Sequence, residues 1–299
     1  INSTNISNFS LSLRKIFYMD TMRNIDVMGI INLTDNSYFS ESRCLGEDGR
    51  DDIGKIVARA VRMAEEGATI LDIGACSTRQ GSEAVGEDEE WLRLEPALKA
   101  IRRELPDIRI SVDTYWPSVV RKTYGLIGDF IVNDVTAGEG MEGDSSYRKG
   151  EMLPLVGRLG LAYIAMHMRG NPLTMQSLTD YRDVTADVLD YFNDFSKKAE
   201  ANGIDGWILD PGFGFAKTAE QNYRLLSELG KLCSPGRKIL VGVSRKSMVY
   251  RKFGITPEEA LPATQVLHYK ALCCGADILR VHDVAEAVRT VEMYRLLEK

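Results

Sequence analysis

The sequence predicts a single (β/α)8 barrel, a TIM barrel, with a short flexible arm at its N-terminus. Three observations predict it. Apolar runs of four to six residues alternate with helical patterns about eight times. The runs lack polar alternation, which is what strands of a parallel sheet covered on both faces require. Each run leads at once into polar or charged residues, at the strand edge where α/β proteins build their sites. A doubly wound sheet is the structural alternative. It usually carries G-x-G-x-x-G after its first strand, and this chain has none there.

Bulk properties narrow the classes. The chain has 299 residues, 44% of them hydrophobic, and a barrel takes about 250 residues as one domain. A net charge of −6 argues against non-specific nucleic-acid binding. No apolar run reaches the roughly 18 residues of a membrane span. Cysteines 44, 76, 233, 273 and 274 are odd in number and lack C-x-x-C spacing, so they read as reduced thiols of a cytoplasmic protein. His167, His268 and His282 are too separated for an obvious zinc site.

Residues 1–24 are polar and rich in Asn and Ser, with one apolar patch at 16–18. They lack the apolar core of a secretion signal. They are expected to form a flexible arm, or a strand closing the barrel bottom, and the missing initial Met suggests a trimmed or partial chain. The barrel is expected over 25–299. Its strands are 27–32 (VMGIIN), 69–74 (TILDIG), 109–113 (RISVD), 130–133 (FIVN), 161–166 (LAYIAM), 207–210 (WILD), 238–243 (KILVGV) and 278–281 (ILRV).

Helices are expected between them. One spans 53–66 and stops at Gly67; another spans 88–104. A third has Pro117 at its first position, and a weaker one lies near 151–159. The helix 183–201 carries Val184, Val188, Phe192, Phe195 and Ala199 at helical spacing. Thr218 and Gln221 form a capping box for a helix running to 229, before Gly230. Thr256 and Glu259 form another, for a helix to about 274. Asp283 is expected to cap the last.

The polar strand ends carry the chemistry. In order they are Asn32 and Thr34; Asp72, then Ser77, Thr78 and Arg79; Asp113; Asn133 and Asp134; Met166 to Arg169; Asp210; Ser244 to Ser247; and Arg280, His282 and Asp283. A lone Asp after a strand is more often a helix cap than a ligand group. Eight polar strand ends together are hard to explain by capping, and in a barrel they converge on one mouth. Asp210 is freed further, because the next helix has its own cap at Thr218. His268, Cys273 and Cys274 read as packing residues.

Asp113, Asn133, Asp210 and Lys246 mix donors and acceptors in a way that suits a polar planar heterocycle. Arg280, His282 and Asn32 suit an oxyanion with a hydrated metal. Phosphate near strands seven and eight is usual in this fold. Ser244, Arg245 and Ser247 suit a second anion, such as a carboxylate. Together they suggest group transfer from a phosphorylated heterocycle to an anionic acceptor.

Eight segments in register resemble the dihydropteroate synthase family. They are MGIINLT (28–34), LDIGACSTRQG (71–81), SVDTY (111–115), IVNDVTAG (131–138), AMHMRGNPLTMQ (165–176), ILDPGFGFAKT (208–218), VGVSRKS (241–247) and LRVHDV (279–284). The resemblance implies condensation of 6-hydroxymethyl-7,8-dihydropterin diphosphate with 4-aminobenzoate. The products would be 7,8-dihydropteroate and diphosphate, in folate synthesis. By motif position, Asp113, Asn133, Asp210 and Lys246 resemble the pterin-binding set, with Met166 lining the pocket and Asp72 among the substrate-binding residues. Asn32, Arg280 and His282 resemble the diphosphate and Mg²⁺ set, with Asn32 on the metal. Thr78 and Arg79 fall on the second loop, and Ser247 on the aminobenzoate carboxylate. A homodimer through barrel helices is also implied.

Two loops depart from the family pattern. Where T-P-D-S-F is usual, Thr34 is followed by Asp35, Asn36, Ser37, Tyr38 and Phe39. Where G-E-S-T-R-P-G is usual, Ala75, Cys76, Ser77, Thr78, Arg79, Gln80 and Gly81 stand. Losing Pro widens a loop's conformational choice, and both loops belong to the aminobenzoate side. The alternatives are a corrinoid-linked methylfolate methyltransferase, which has no use for an Arg–His diphosphate site, and a pterin-binding homologue without catalysis.

Overall fold

A computed structural model describes residues 23–33, 52–76, 85–141, 147–171, 173–234 and 236–298. Eight strands form one closed parallel barrel in sequence order. They are β1 (Asp26–Asn32), β2 (Ile70–Gly74), β3 (Arg109–Asp113), β4 (Ile131–Asp134), β5 (Ala162–Met166), β6 (Trp207–Asp210), β7 (Lys238–Val241) and β8 (Ile278–Val281). The barrel closes where Met28 of β1 pairs with Arg280 of β8 on one side and Ile70 of β2 on the other. Of the arm, only Arg23 and Asn24 are described. Arg23 donates to the Leu272 carbonyl (2.6 Å) and the Tyr294 hydroxyl (2.9 Å), which ties it to the last two helices.

The helices that cover the barrel are α1 (Ile53–Glu65), α2 (Glu87–Glu104), α3 (Pro117–Ile127), α4 (Met152–Leu159), α5 (Val184–Ala201), α6 (Ala219–Ser227), α7 (Ser247–Phe253), α8 (Leu261–Cys273) and α9 (Val284–Leu297). Most follow the expected bounds closely. The capping box at Thr218 forms in full. None of the helices among the described residues is long and apolar enough to cross a membrane.

Four details differ from the sequence expectation. The helix after β6 ends at Ser227, and Leu229–Leu232 continues as a 3₁₀ turn containing Gly230. Leu229 and Leu232 are both buried three apart, a spacing that one tighter turn puts on one face. The Thr256 box makes both its bonds, yet it opens a 3₁₀ turn, Glu258–Ala260, and α8 starts at Leu261. The seven-residue α7 has too short an apolar stripe, Met248 and Val249, to show as a period. Asp283 stands before α9 but makes no capping bond; its carboxylate is held by Arg245 at 2.8 Å through each oxygen.

The inside of the barrel is layered. Met28, Ile70, Ile131, Ile164, Ile208, Leu240 and Ile278 form one apolar cluster, separate from the larger core between sheet and helices. One period of two further along the same face come Asp72, Asn133, Met166, Asp210 and Arg280. On this inward face the strands change from apolar to polar at the mouth. One period earlier lies the floor. Asp26, 1% exposed, is bridged by Arg109 and by Lys238 (3.1 Å) and accepts from the Thr69 hydroxyl (3.1 Å).

This floor sets a testable acid dependence. Burial works against the Asp26 carboxylate, but Arg109 and Lys238 overcome it and hold its pKa below the ordinary 3.8. A depressed acid contributes stability above its unfolded pKa and loses it as pH falls through the folded value. Asp26→Asn is expected to lower unfolding free energy by about 1–3 kcal/mol at pH 7. Urea titrations should show that deficit shrinking below about pH 4.

Candidate active site

Arg280 organises the layer at the mouth. Its Nε donates to Asp72 at 2.6 Å and its Nη2 to Asp113 at 2.9 Å. Asn133 donates from Nδ2 to both Asp72 oxygens at 3.2 Å. Asp72 accepts only, so it fixes the amide's orientation and leaves the Asn133 carbonyl oxygen at the other end. β2, β3, β4 and β8 thus meet in one bonded group across the barrel. Asn32, in register with Gly74 on the rim, stands beside it. A Cβ at Gly74 would lie 3.2 Å from the Asp113 Cβ, a contact tight enough to press on that side chain.

β5 and β6 supply the neighbouring wall. Met166 pairs with Asp210 across the strands. Asp210 accepts from the Gly212 N–H at 2.8 Å. That turn requires glycine: φ is +67°, and a Cβ would meet the His167 carbonyl oxygen. Lys246 reaches in from the loop after β7, donating Nζ to the Phe213 carbonyl at 2.5 Å and lying 4.8 Å from the Phe215 ring centre. Ser247 follows it as the first residue of α7.

The protonation states follow from burial. Burial raises Asp113 to about 7, with Arg280 opposing and the carboxylates of Asp72, Asp134 and Asp210 adding to it. Burial also raises Asp210 above its ordinary value, against Lys246. Lys246 is pushed down to about 8 by burial, against the pull of Asp210. Burial disfavours the Arg280 charge, yet Asp72 and Asp113 outweigh it and hold the guanidinium more firmly protonated than usual. His282 is pushed down to about 3, by burial and then by Arg280, so its ring is neutral. The Ser244 hydroxyl accepts from the His282 backbone N–H and sits 3.2 Å from the ring Nδ1.

Of the residues expected at one mouth, the structure joins Asp72, Asp113, Asn133 and Arg280 directly, with Met166, Asp210, Lys246, Ser247, Asn32 and His282 on the strand ends around them. Thr78 and Arg79 lie outside the described residues, as do the altered positions Asp35 to Phe39 and Gln80. Arg280 was expected with the phosphate set, apart from Asp113; the structure bonds the two.

Several of the expected polar strand ends do not face the mouth; Asp134 and His167 fall on the outward parity of β4 and β5. Asp134 accepts from Thr136, Gly138 and Tyr163 and shapes its own loop. His167 meets Lys217. Arg245, expected to hold an anion, is 6% exposed and is bonded to Asp283 and to the carbonyls of Pro257 and Glu258. Sequence reasoning missed the Phe213 carbonyl, the Phe215 ring and Lys217, although all three stand in the GFGFAKT segment beside Asp210. Burial pushes the Cys76 thiol up to about 12, with Glu90 adding to it, which disfavours a reactive thiolate there.

A closed parallel barrel with a buried Asp–Asn–Arg group and a perturbed lysine at its mouth is the architecture of a barrel enzyme that holds a polar heterocycle. The sequence pattern of the pterin binding enzymes matches residues 28–282. Dihydropteroate synthase of Escherichia coli is 37% identical over 276 residues, spanning 91% of this chain and 90% of that protein. The Synechocystis synthase is 40% identical over 267 residues, 86% and 85% of the two chains. Among solved structures, Yersinia pestis dihydropteroate synthase with a sulfonamide drug superposes with a TM-score of 0.80 at 32% identity, over 92% of this chain and 94% of that one. The Xanthomonas albilineans synthase with 4-aminobenzoic acid gives 0.79 at 34%, over 92% and 93%. The chain belongs to the dihydropteroate synthases of the pterin-binding enzyme family.

The raised Asp113 has a thermodynamic consequence. An acid whose folded pKa lies above its unfolded value contributes most below the unfolded value and loses that contribution as pH rises to the folded one. The ligand-free protein is expected to lose stability between about pH 4 and pH 7 on this account. Asp113→Asn should flatten that slope in urea unfolding measured across the window, while weakening the site.

Proposed function

We propose that this chain condenses 6-hydroxymethyl-7,8-dihydropterin diphosphate with 4-aminobenzoate, giving 7,8-dihydropteroate and diphosphate in folate synthesis. The observation that carries the reading is the bonded group of Asp72, Asp113, Asn133 and Arg280, with Asp210 and Lys246 beside it. It offers acceptors and donors at fixed positions in a buried layer, as a flat ring with N–H, amino and carbonyl edges needs.

In this reading Asp113, Asp210 and the Asn133 carbonyl accept from the pterin ring, and Lys246 donates to it. Ring N–H donors favour the ionised form of Asp113 and Asp210, which burial alone disfavours. The bond from the pterin methylene to the diphosphate oxygen breaks, and its electron pair leaves with diphosphate. The methylene becomes cation-like, and the Asp210 carboxylate stabilises the electron-rich ring that spreads this charge. The aminobenzoate nitrogen then bonds to the methylene and loses a proton. No enzyme nucleophile is required. Arg280 and His282 act on the diphosphate, while Ser247, Thr78 and Arg79 serve the aminobenzoate side.

Among the described residues, no cluster of three His, Cys, Asp or Glu could hold a metal by itself. A hydrated Mg²⁺ carried on the diphosphate needs few protein oxygens, and the Asn32 amide oxygen at the rim fits that need. The ion would neutralise charge on the leaving group. We place the enzyme in the cytoplasm on its cysteine usage. We also infer a homodimer: α8 and α9 expose Val266, Met293, Leu296 and Leu297 by 50–68%, apolar surface that a second copy would cover.

The test is to mix the protein with both substrates and follow diphosphate release and dihydropteroate formation together. Equal yields are expected. Tight pterin binding with no diphosphate would instead make it a non-catalytic homologue, and binding of methylfolate would favour the methyltransferase. Lys246→Ala is expected to cut turnover by about 100-fold or more, the scale for removing one preorganised donor. An unchanged rate would remove Lys246 from the site.

A further inference from the structure

Lys217 has no place in the chemistry above, yet it is 4% exposed and fully engaged. Its ammonium donates to the carbonyls of Gly212 and Phe215 and lies against His167 Nδ1, all at 3.0 Å. Three donors meet three acceptors. Two of these acceptors belong to the loop after β6, and the third to the exit of β5. The His167 backbone N–H in turn donates to the Asp210 carbonyl at 2.9 Å. The loop is pinned from its other side by Asn222 of α6, 2% exposed, which accepts from the Gly214 N–H at 2.8 Å.

What this loop presents to the mouth is Lys246's environment. The Phe213 carbonyl accepts from Lys246, and the Phe215 ring lies under its ammonium. Phe215 is thus held by its carbonyl at Lys217 and faces Lys246 with its ring. Three backbone positions in the loop have positive φ: Gly212 at +67°, Gly214 at +83° and Ala216 at +48°. Ala216 is not a residue that favours this region, so the fold around the buried ammonium has to hold it there.

Resting on the proposed function, we propose that Lys217 is a positioning residue: it folds the loop after β6 around its ammonium so that the Phe213 carbonyl and the Phe215 ring set where Lys246 sits. A purely structural lysine would be an expensive choice, because burying an ammonium costs free energy that an apolar side chain would avoid. Burial accordingly pushes Lys217 down to about 7, with Asp210 opposing and Lys246 and Arg169 adding to it.

The test is a cycle of four full-length proteins: wild type, Lys217→Met, Lys246→Met and the double variant. The readout is equilibrium affinity for the pterin diphosphate, so no turnover is needed. Lys217→Met is expected to weaken binding by about 10-fold when Lys246 is present and by less than about 3-fold when it is Met, the non-additivity of coupled neighbours. Equal weakening in both backgrounds, or none in either, overturns the proposal. If Lys217→Met does not fold, Lys217→Gln, whose amide still donates inside the same space, runs through the same cycle with the same two outcomes. A wild-type protein that binds no pterin diphosphate would refute the proposed function itself. Binding with an additive cycle would refute only the role of Lys217.

Discussion

The site depends on one guanidinium. Arg280 bonds Asp72 and Asp113 from inside a closed barrel, and without it several carboxylates would share a space sealed from below. Among the described residues, Arg280 bridges Asp72 and Asp113, and Lys246, Arg280 and Lys217 act on the charge of Asp210. A planar fork that cannot lose its proton suits this position better than an ammonium, because it meets two carboxylates at fixed angles. Such a buried network is rarely a source of net stability, since desolvation consumes most of the attraction. The raised Asp113 and Asp210 and the lowered Lys246 record that strain. A ring with complementary donors and acceptors would relieve it.

The barrel makes this arrangement possible by stacking layers. The apolar cluster from Met28 to Ile278 seals the centre, and the Asp26 ion group closes the floor. The polar layer is therefore open in one direction only. The period of two along the strands runs through these layers, so a shift of one residue would exchange the site with the helix-packed face. Asp134 and His167 show this parity in action. Each adjoins an inward residue, and each spends its polar atoms on loop structure instead.

Much of this was legible in the sequence. Eight apolar runs with polar ends specified the barrel and the set Asp72, Asp113, Asn133, Asp210 and Arg280, because strand ends in a barrel converge whatever the details. Spacing alone could not separate the inward from the outward residue where two polar residues are adjacent, as at Asn133–Asp134 and His282–Asp283. Arg245 looked like an anion ligand because its partner Asp283 is 38 residues away, and Asp283 looked like a cap because local patterns hide that pairing. The short α7 was invisible for lack of a period. Lys217 was passed over because a lysine in a glycine-rich loop reads as exposed, whereas backbone carbonyls converge on it.

The central claim is that the buried polar layer grips the pterin ring. A crystal structure of the protein with pterin diphosphate measures it most directly. The account predicts the ring inside the mouth, with its N–H and amino edge on Asp113, Asn133 and Asp210 and with Lys246 in contact. A ring bound outside the barrel, with Arg280 still bonded to Asp72 and Asp113 and no contact to Asp210, would contradict it.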